Sequence, residues 1–349
     1  MTMLADQVDA VIGVDTHKES HTAAVVEPTG GVVAHLTVPS DAFGARRVLA
    51  FARAHQAGRR VWAIEGTGSY GAGLTTFLLE HGEWVVEIDR PARPARRNGA
   101  KSDELDAVRA SREALSREHL AQPRRRGERE ALRVLLATRQ GAILSRTRAV
   151  TSLHALVVNA PEGIRNQLRH LDTDDLLARC ARLRTAPLQS IEHRATITAL
   201  RSTARRALAC EAEAADLESA LEVLVKQERP ELLTEPGVGT ITAAAILNAW
   251  SHAGRIRSEA AFAMLAGVAP IPASSGQTVR HRLNRAGDRQ LNRALHTIVL
   301  SRLTHHAETR AYASRRAAEG KTPREIKRCL KRHLARRLFG LLEHTEAAA

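Results

Sequence analysis

The sequence predicts an α/β domain at the N-terminus followed by a long, mostly helical remainder, and three observations support this. Apolar runs of strand length alternate with helix-spaced segments over the first hundred residues. From about Ala107 to Arg229 the chain is rich in Ala, Leu, Arg and Glu at helical spacing. Residues 1–100 carry 10 basic and 11 acidic side chains, whereas residues 231–349 carry 19 and 9. With 349 residues, the chain exceeds the ~100–200 residues of one domain, so we expect two or three.

The first hundred residues alternate between strand and helix patterns in a recognisable order. Three apolar segments, "AVIGVDTHK", "HTAAVVEP" and "GVVAHLTVP", predict a meander of three strands. A helix ("SDAFGARRVLAFARAHQAG"), a strand ("RRVWAIE"), a helix ending at Gly82 ("SYGAGLTTFLLEHG") and a fifth strand ("EWVVEIDR") follow. The next helix begins at about Ser102. This order, βββαβαβ and then a helix, is that of the ribonuclease H-like fold.

Glycines follow the fourth predicted strand, and they have two interpretations. The run Gly66–Gly71, "GTGSYG", fits the G-x-G-x-x-G pattern of a dinucleotide-binding loop, and Asp89 lies at the distance of a ribose partner. In dinucleotide-binding units, however, the glycines follow the first strand of a βαβ run. Here they allow a strand to turn sharply into a helix beside Glu65. The nucleotide loop remains the alternative.

Four carboxylates fall where a ribonuclease H-like fold holds its metal ligands. Asp15 lies in the first strand, Glu65 ends the fourth, and Asp103 and Asp106 are three residues apart on one face of the next helix. Mg²⁺ prefers oxygen ligands, and two ions ~3.5–4 Å apart stabilise both the attacking and the leaving oxygen of a phosphodiester. The sequence therefore predicts a site for Mg²⁺, with two ions.

The acids at the start of the predicted helix also have a simpler interpretation. Asp103 and Asp106 also suit the first turn of a helix that Ser102 caps, with Glu104 as a third acid. Asp15 is harder to explain this way, because a carboxylate in an apolar strand is destabilising unless it is paired or metal-bound. Three further residues flank the acids, either as phosphate contacts or as solvated neighbours, and stay outside the predicted site: His17, Lys18 and Lys101.

The charge of the chain predicts a polyanionic partner. The net charge is +14 and the sequence pI is about 10.8, and basic side chains gain affinity for nucleic acid by releasing counterions from phosphates. "EPGVGTITAAAIL" predicts a helix-hairpin-helix whose glycine N–H groups approach a phosphate. The predicted nucleic-acid contacts are Gly237, Gly239, Arg280, Arg282, Arg285, Arg289, Arg293, Arg328, Lys331 and Arg332. Pro-Gly turns also merely join helices, and the terminal segment Lys321–Leu338 is equally explained as a solvated helix.

Other sequence features narrow the class of protein. The chain has no apolar run of ~18 residues and no cationic, apolar start, so we expect no membrane partner and a cytoplasmic location. Three isolated cysteines argue against a disulfide framework or a zinc ribbon. Long charged helices in the middle of the chain suit a coiled-coil spacer or a dimer interface.

The motifs together resemble a known family. "GVDTHK", "AIEGTGSYG", "IDRPARPARRNGA" and "KSDELDA", in this order, are similar to the DEDD transposases of insertion sequences, whose N-terminal domain resembles the junction resolvase RuvC. "LLTEPGVGTITAAAILNAW", "AAFAMLAGVAPIPASSGQ" and "NRAGDRQLNRALHTIVLSRL" resemble the second transposase domain of that family. We expect a RuvC-like catalytic domain over 1–118, a helical coiled-coil region over 119–229 and a C-terminal transposase domain over 230–349.

The resemblance implies a mechanism and partners. The family carries a nucleophilic serine in an "SG" motif, which matches Ser275 here, with Ser274 as the alternative. The resemblance implies a DNA recombinase that joins element ends to target DNA. It also implies a structured non-coding bridge RNA as guide and a homo-oligomer, dimer or tetramer, as the active form. Two other hypotheses remain: a RuvC-like junction nuclease that uses water, and a non-catalytic nucleic-acid scaffold.

Overall fold

The computed structural model describes residues 3–56, 58–88, 102–118, 120–273, 281–282, 284 and 286–344. The chain divides into two compact units, of which the first combines Met1–Arg126 with Ser251–Arg257 and the second combines Gly127–Trp250 with Ser258–Ala349. A short segment from the C-terminal half thus belongs to the N-terminal unit. Within the described part of the chain, no helix is both long and apolar enough to cross a membrane.

The N-terminal unit is a mixed five-stranded sheet with helices, and its elements follow the predicted order. The strands are β1 (Ala10–Thr16), β2 (Ser20–Val26), β3 (Val32–Pro39), β4 (Arg60–Glu65) and β5 (Trp84–Ile88). The helices are α1 (Ala42–His55), α2 (Ala72–Glu80) and α3 (Asp103–Leu115). The strand order is β3-β2-β1-β4-β5. β1, β2 and β3 pair antiparallel, whereas β1, β4 and β5 are parallel.

Side chains of β1 alternate between the two faces of the sheet, as strand geometry requires. Ile12 and Val14 belong to the apolar cluster that includes α1 and α2. Val11 belongs to the cluster that includes α3. Gly13 lies on this second face, where a Cβ atom would be only 2.0 Å from the carbonyl oxygen of Ala107. Only glycine therefore allows α3 to lie this close to β1, and the odd-numbered positions of β1 point toward α3.

A buried glutamate fixes the sheet to α1. The Glu83 side chain is 4% exposed and accepts hydrogen bonds from Arg60 (2.8 Å), Trp62 Nε1 (2.9 Å) and Arg53 (3.2 Å). Burial alone would raise the pKa of Glu83, but the hydrogen bonds from these three residues outweigh it and hold the pKa below its usual value. Glu83 is therefore an ionised structural residue.

The second unit is mostly helical. Its helices are α4 (Glu128–Val158), α5 (Glu162–Leu168), α6 (Thr173–Ala181), α7 (Ile191–Glu228), α8 (Thr240–Trp250), α9 (Glu259–Leu265), α10 (Arg289–His305), α11 (Ala307–Ala318) and α12 (Pro323–His344). A small antiparallel pair, β6 (Ile271–Pro272) and β7 (His281–Arg282), lies between α9 and α10 in sequence. The predicted mixed N-terminal sheet and mostly helical remainder are both observed.

The two longest helices, α4 and α7, pack against each other. Leu153 and Val157 of α4 share an apolar cluster with Leu200 and Ala204 of α7. Ion pairs along the helices add to this contact, and they are Arg139 with Glu218 at 2.7 Å and Arg146 with Glu211 at 3.1 Å. The long charged helices in the middle of the sequence therefore pack against each other within one chain. Pairing between chains stays a prediction.

Candidate metal centre and nucleic-acid interface

Two of the predicted metal ligands meet where β1 ends and α3 begins. His17 Nε2 lies 3.1 Å from Asp15 Oδ2 and 3.4 Å from Asp103 Oδ1. One ligand atom from each of these three residues lies within 4.8 Å of the other two. The close packing of α3 on Gly13 brings Asp103 to the end of β1, although the two acids are far apart in sequence. We call this group the acidic cluster.

The start of α3 is built by capping and by acidic residues. The Ser102 side chain accepts a hydrogen bond from the Leu105 N–H at 3.3 Å, as an N-cap residue does. Asp103, Glu104 and Asp106 occupy the first turn, where carboxylates interact favourably with the helix dipole. Asp106 accepts a 2.6 Å hydrogen bond from Arg109, one turn later. The cap of α3 and the predicted metal site thus use the same few residues.

Burial and neighbouring charges perturb the pKa of Asp15. Its side chain is 14% exposed. Burial raises the pKa of Asp15, and the neighbouring charges of Asp103 and Asp106 raise it further, whereas His17 opposes the shift. Crowded carboxylates of this kind are stabilised by a cation. Their oxygens are the donors that Mg²⁺ and Mn²⁺ prefer, so the residues present fit the predicted metal.

Glu65 lies on the same face of the sheet as Asp15, one position beyond the last paired residues. β1 and β4 are aligned through Val14 and Ile64, so Asp15 and Glu65 follow side by side. Val61 and Ala63 of β4 face the α3 side, and Glu65 continues that alternation. The Thr16 hydroxyl donates a 2.9 Å hydrogen bond to the Glu65 carbonyl oxygen, which ties the two strand ends together. The Glu65 carboxylate itself is outside the acidic cluster.

The sharp turn after β4 depends on glycine. Gly66 has φ of +72°, in the left-handed region, and a Cβ atom there would lie 2.8 Å from Ser69 Oγ. The turn leads into α2, as the sequence predicted for a strand that ends beside a carboxylate. In the structure these glycines follow the fourth strand of a mixed sheet.

His17 belongs to the acidic cluster, although the sequence analysis left it outside the site. A usable signal was present. Side chains two residues apart in an extended chain point to the same side, so Asp15 in the site places His17 beside it. The sequence predicted His17 only as a phosphate contact or as a solvated neighbour of the carboxylates.

Four of the predicted nucleic-acid contacts line one cavity of about 460 Å³ in the second unit. They are Arg282, Arg328, Lys331 and Arg332, and we call this the basic cavity. Lys331 Nζ donates to Asn292 Oδ1 at 3.2 Å, and burial, together with Arg328, lowers the pKa of Lys331. Arg332 forms an ion pair with Glu259. Among the described residues, no acid forms an ion pair with Arg282, Arg328 or Lys331.

Other predicted contacts are more dispersed or lie outside the described residues. Arg289 and Arg293 are exposed on α10. Gly237 has φ of +76° and packs near the Ile298 carbonyl oxygen of α10, whereas the Gly239 N–H donates to Thr242 Oγ1 at 3.0 Å. Both glycines are exposed, and their contact with phosphate stays a prediction. Ser274, Ser275, Arg280 and Arg285 lie outside the described ranges, as do Asp89 and Lys101.

Comparison with known proteins bears on both units. Residues 12–160 match a family model described as transposase, of the IS110 DEDD type. Residues 229–314 match the model of the transposase IS116/IS110/IS902 family. The two matches include the acidic cluster in the first case and the segment around β6 and β7 in the second.

Two relatives are proteins of insertion elements. The uncharacterized 42 kDa protein of insertion element IS900 from Mycobacterium paratuberculosis is 25% identical over an alignment of 382 positions, which covers 95% of this chain and 94% of the relative. The uncharacterized 43.6 kDa protein of insertion element IS110 from Streptomyces coelicolor is 33% identical over 114 positions, which is 32% of this chain and 28% of that protein. Both family models and both relatives agree: this chain belongs to the IS110 family of DEDD-type transposases.

Proposed function

We propose that this chain cuts and rejoins DNA strands at an insertion sequence, with a divalent metal site of four carboxylates and Ser275 as nucleophile. Family membership implies DNA cleavage and strand transfer in general terms. The proposed site of four carboxylates rests mainly on one observation: Asp15 and Asp103 converge at the end of β1, with Asp106 and Glu65 beside them. The strand order also suits a ribonuclease H-like, RuvC-like fold.

The four carboxylates, Asp15, Glu65, Asp103 and Asp106, would hold Mg²⁺, in two positions. Bound Mg²⁺ supplies Lewis-acid stabilisation of charge on phosphate oxygens. Asp15 anchors the site, because its partial burial limits competition from water. Arg109 holds Asp106 in place through their hydrogen bond. His17 Nε2 lies within hydrogen-bonding distance of Asp15 and close to Asp103, so it positions the Asp15 carboxylate.

Ser275 is the proposed nucleophile, on the family resemblance alone. Its oxygen forms a bond to the phosphorus of one strand as the bond from that phosphorus to a sugar oxygen breaks. The serine proton leaves to a base, and the departing sugar oxygen takes up a proton. Attack by the hydroxyl of another strand reverses the step and releases the serine, so strands are exchanged without net hydrolysis.

The basic cavity and the exposed arginines of α10 supply nucleic-acid affinity in this proposal. Cations that face phosphates release counterions and bind without regard to base sequence. The element ends, the target DNA and a bridge RNA are the proposed partners, in a homo-oligomer of two or four chains.

The test is to mix purified protein, Mg²⁺ and the DNA ends of its element, and to look for a covalent protein–DNA adduct and for joined strands. We expect an adduct whose formation requires Mg²⁺. Hydrolysed strands without an adduct would instead favour a junction nuclease that uses water. Binding without any cleavage in Mg²⁺ or Mn²⁺ would favour a non-catalytic scaffold.

A further inference from the structure

A second cavity, of about 390 Å³, lies beside β5 in the N-terminal unit, and the chemistry proposed above does not use it. α2, the start of β5, the segment Gln122–Arg126 and His252 line it. Its volume falls in the range of roughly 300–1,000 Å³ that small-ligand sites occupy. We call it the β5 cavity.

The arginine-rich wall of the β5 cavity is held in place by neighbouring backbone. The Glu87 N–H donates to the Ala121 carbonyl oxygen at 2.7 Å, which adds a short antiparallel bridge to the edge of the sheet. The Arg125 N–H donates to Ser251 Oγ at 3.0 Å, and His252 Nε2 lies 3.3 Å from Gln122 Oε1. These contacts position three consecutive arginines before any ligand binds.

Two buried donors in residues that line the β5 cavity have no acceptor among the described residues. Thr75 is 4% exposed, and its hydroxyl oxygen has no hydrogen-bond partner there. The Nε atom of Arg124 is likewise buried without a partner. Buried polar groups are nearly always hydrogen-bonded in folded proteins. Two unpartnered donors thus belong to residues that line the same cavity, where a bound acceptor would pair with them.

The charges around the β5 cavity indicate that this acceptor is an anion. Arg124, Arg125 and Arg126 form no ion pair with any described acid. Of the two acids that line the cavity, Glu83 is already bonded to Arg53, Arg60 and Trp62, and Glu80 is exposed. An arginine fork is suited to bind phosphate oxygens.

One aromatic side chain gives the cavity a second chemical character. The chain has three tryptophans. Trp62 and Trp250 are buried, at 0% and 4% exposure, whereas Trp84 is 44% exposed and lines the β5 cavity. An exposed indole beside a row of cations is the combination with which proteins bind single-stranded nucleic acid, because bases stack on the ring while phosphates meet the cations.

We infer that the β5 cavity binds one unpaired nucleotide of a nucleic-acid strand, with its base against Trp84 and its phosphate among Arg124, Arg125 and Arg126. This inference rests on the proposed function, in which the protein acts on nucleic acid. The shared chemistry, a base and a phosphodiester, is offered by a DNA strand and by an RNA strand, and separate oligonucleotides distinguish the two.

Tryptophan fluorescence of the full-length protein provides the test. Acrylamide reaches Trp84 and not the two buried tryptophans, so collisional quenching reports on this side chain. We expect a single-stranded DNA or RNA oligonucleotide to lower the quenching constant, and a duplex of the same length to leave it unchanged. Trp84→Phe shows the quenching that remains without the exposed indole. Shielding by one type of strand only identifies the ligand as DNA or RNA.

Variants of the wall test the phosphate contact, with labelled oligonucleotides and fluorescence anisotropy as the assay. Arg125→Gln and Arg126→Gln should each reduce the salt slope of single-strand binding by about one. Trp84→Ala should raise Kd about tenfold, which is the scale of losing one stacked base. Arg46→Gln removes an exposed arginine of α1 in the same unit and is the matched control, with unchanged binding. Thermal unfolding confirms that each variant is folded.

The outcomes separate this inference from the proposed function. Strand cleavage is measured with the same protein preparations. Cleavage with an unchanged quenching constant at saturating oligonucleotide, or shielding by the duplex alone, overturns the nucleotide site and leaves the catalytic proposal standing. Shielding of Trp84 without any cleavage keeps the nucleotide site and contradicts the catalytic proposal.

Discussion

The acidic cluster of the N-terminal unit and the basic cavity of the second unit are built in opposite ways. Asp15 and Asp103 come from a strand and a helix far apart in sequence, and they meet because Gly13 lets the helix approach the strand. Arg328, Lys331 and Arg332 lie within about one turn of a single helix. The first arrangement depends on the fold, whereas the second depends mainly on local periodicity.

The two sites share one physical feature despite their opposite charges. Burial raises the pKa of Asp15, and burial lowers the pKa of Lys331, so in each case the charged form is disfavoured by the protein. A cation would relieve the first site and an anion the second. We therefore expect the acidic cluster to govern strand cleavage and the basic cavity to govern the affinity for nucleic acid.

The largest expected effect comes from removing a carboxylate of the proposed metal site. Asp15→Asn and Glu65→Gln should each lower the rate of strand cleavage by at least about a thousandfold, more than the loss of a single charge-stabilising donor. Nucleic-acid binding should persist because the basic surface is intact. Cleavage and anisotropy assays on one preparation measure both. Cleavage at the wild-type rate in either variant would show that the metal site is elsewhere.

Ser275→Ala tests whether this serine is the nucleophile of strand cleavage. We expect the covalent adduct to disappear, because alanine has no hydroxyl with which to form an ester, while the fold and metal binding remain. Denaturing gels detect the adduct. Its persistence in Ser275→Ala with loss in Ser274→Ala would move the role to Ser274. An adduct that survives both changes would refute the serine mechanism.

Glu83→Gln should lower the stability of the fold, while strand cleavage still depends on the acidic cluster and nucleic-acid binding on the basic cavity. Breaking a buried ion pair from one side is destabilising by ~3–5 kcal/mol. The folded-state pKa of Glu83 is lower than its unfolded value, so the ionised carboxylate stabilises the protein above the unfolded pKa, and this stability is lost as the pH falls through the folded pKa. Denaturant unfolding at several pH values should show the two proteins converging as acid is added. A constant difference would contradict the assignment.

The smallest expected effect concerns the basic cavity. Arg328→Gln and Lys331→Gln should each reduce the salt slope of nucleic-acid binding by about one, with cleavage at saturating DNA unchanged. Arg332→Gln should act more on stability, because Arg332 is paired with Glu259. Arg324→Gln, an exposed arginine of the same helix outside the cavity, is the control. Unchanged salt slopes in Arg328→Gln and Lys331→Gln would indicate that this surface of α12 is solvated and does not contact nucleic acid.

Some of the fold and of the candidate site could be predicted from the sequence. Period-two apolar runs and helix caps are local signals, and they predicted the order of strands and helices up to Ser102 correctly. The residue Asp15 stood out because a carboxylate in an apolar strand needs an explanation. The ion pair of Asp106 with Arg109, and the place of His17 between two carboxylates, depend on side-chain rotamers and on helix position.

The β5 cavity could not have been predicted in this way. Its wall joins the segment Gln122–Arg126 to Ser251 and His252, which lie on the other side of two long helices in sequence. The run "PRRRGERE" contains the three arginines, but sequence periodicity carries no information on such distant contacts. Only the folded chain shows that the arginines and Trp84 line the same cavity.

Counting bound Mn²⁺ by electron paramagnetic resonance tests whether the acidic cluster binds a divalent metal. We expect wild-type protein to bind Mn²⁺, Asp15→Asn and Asp103→Asn to lose this binding, and Glu104→Gln to retain it. Glu104 is the matched control because it is an exposed acid in the same helical turn, outside the cluster. Equal Mn²⁺ binding by all four proteins would show that the acidic cluster is not the metal site.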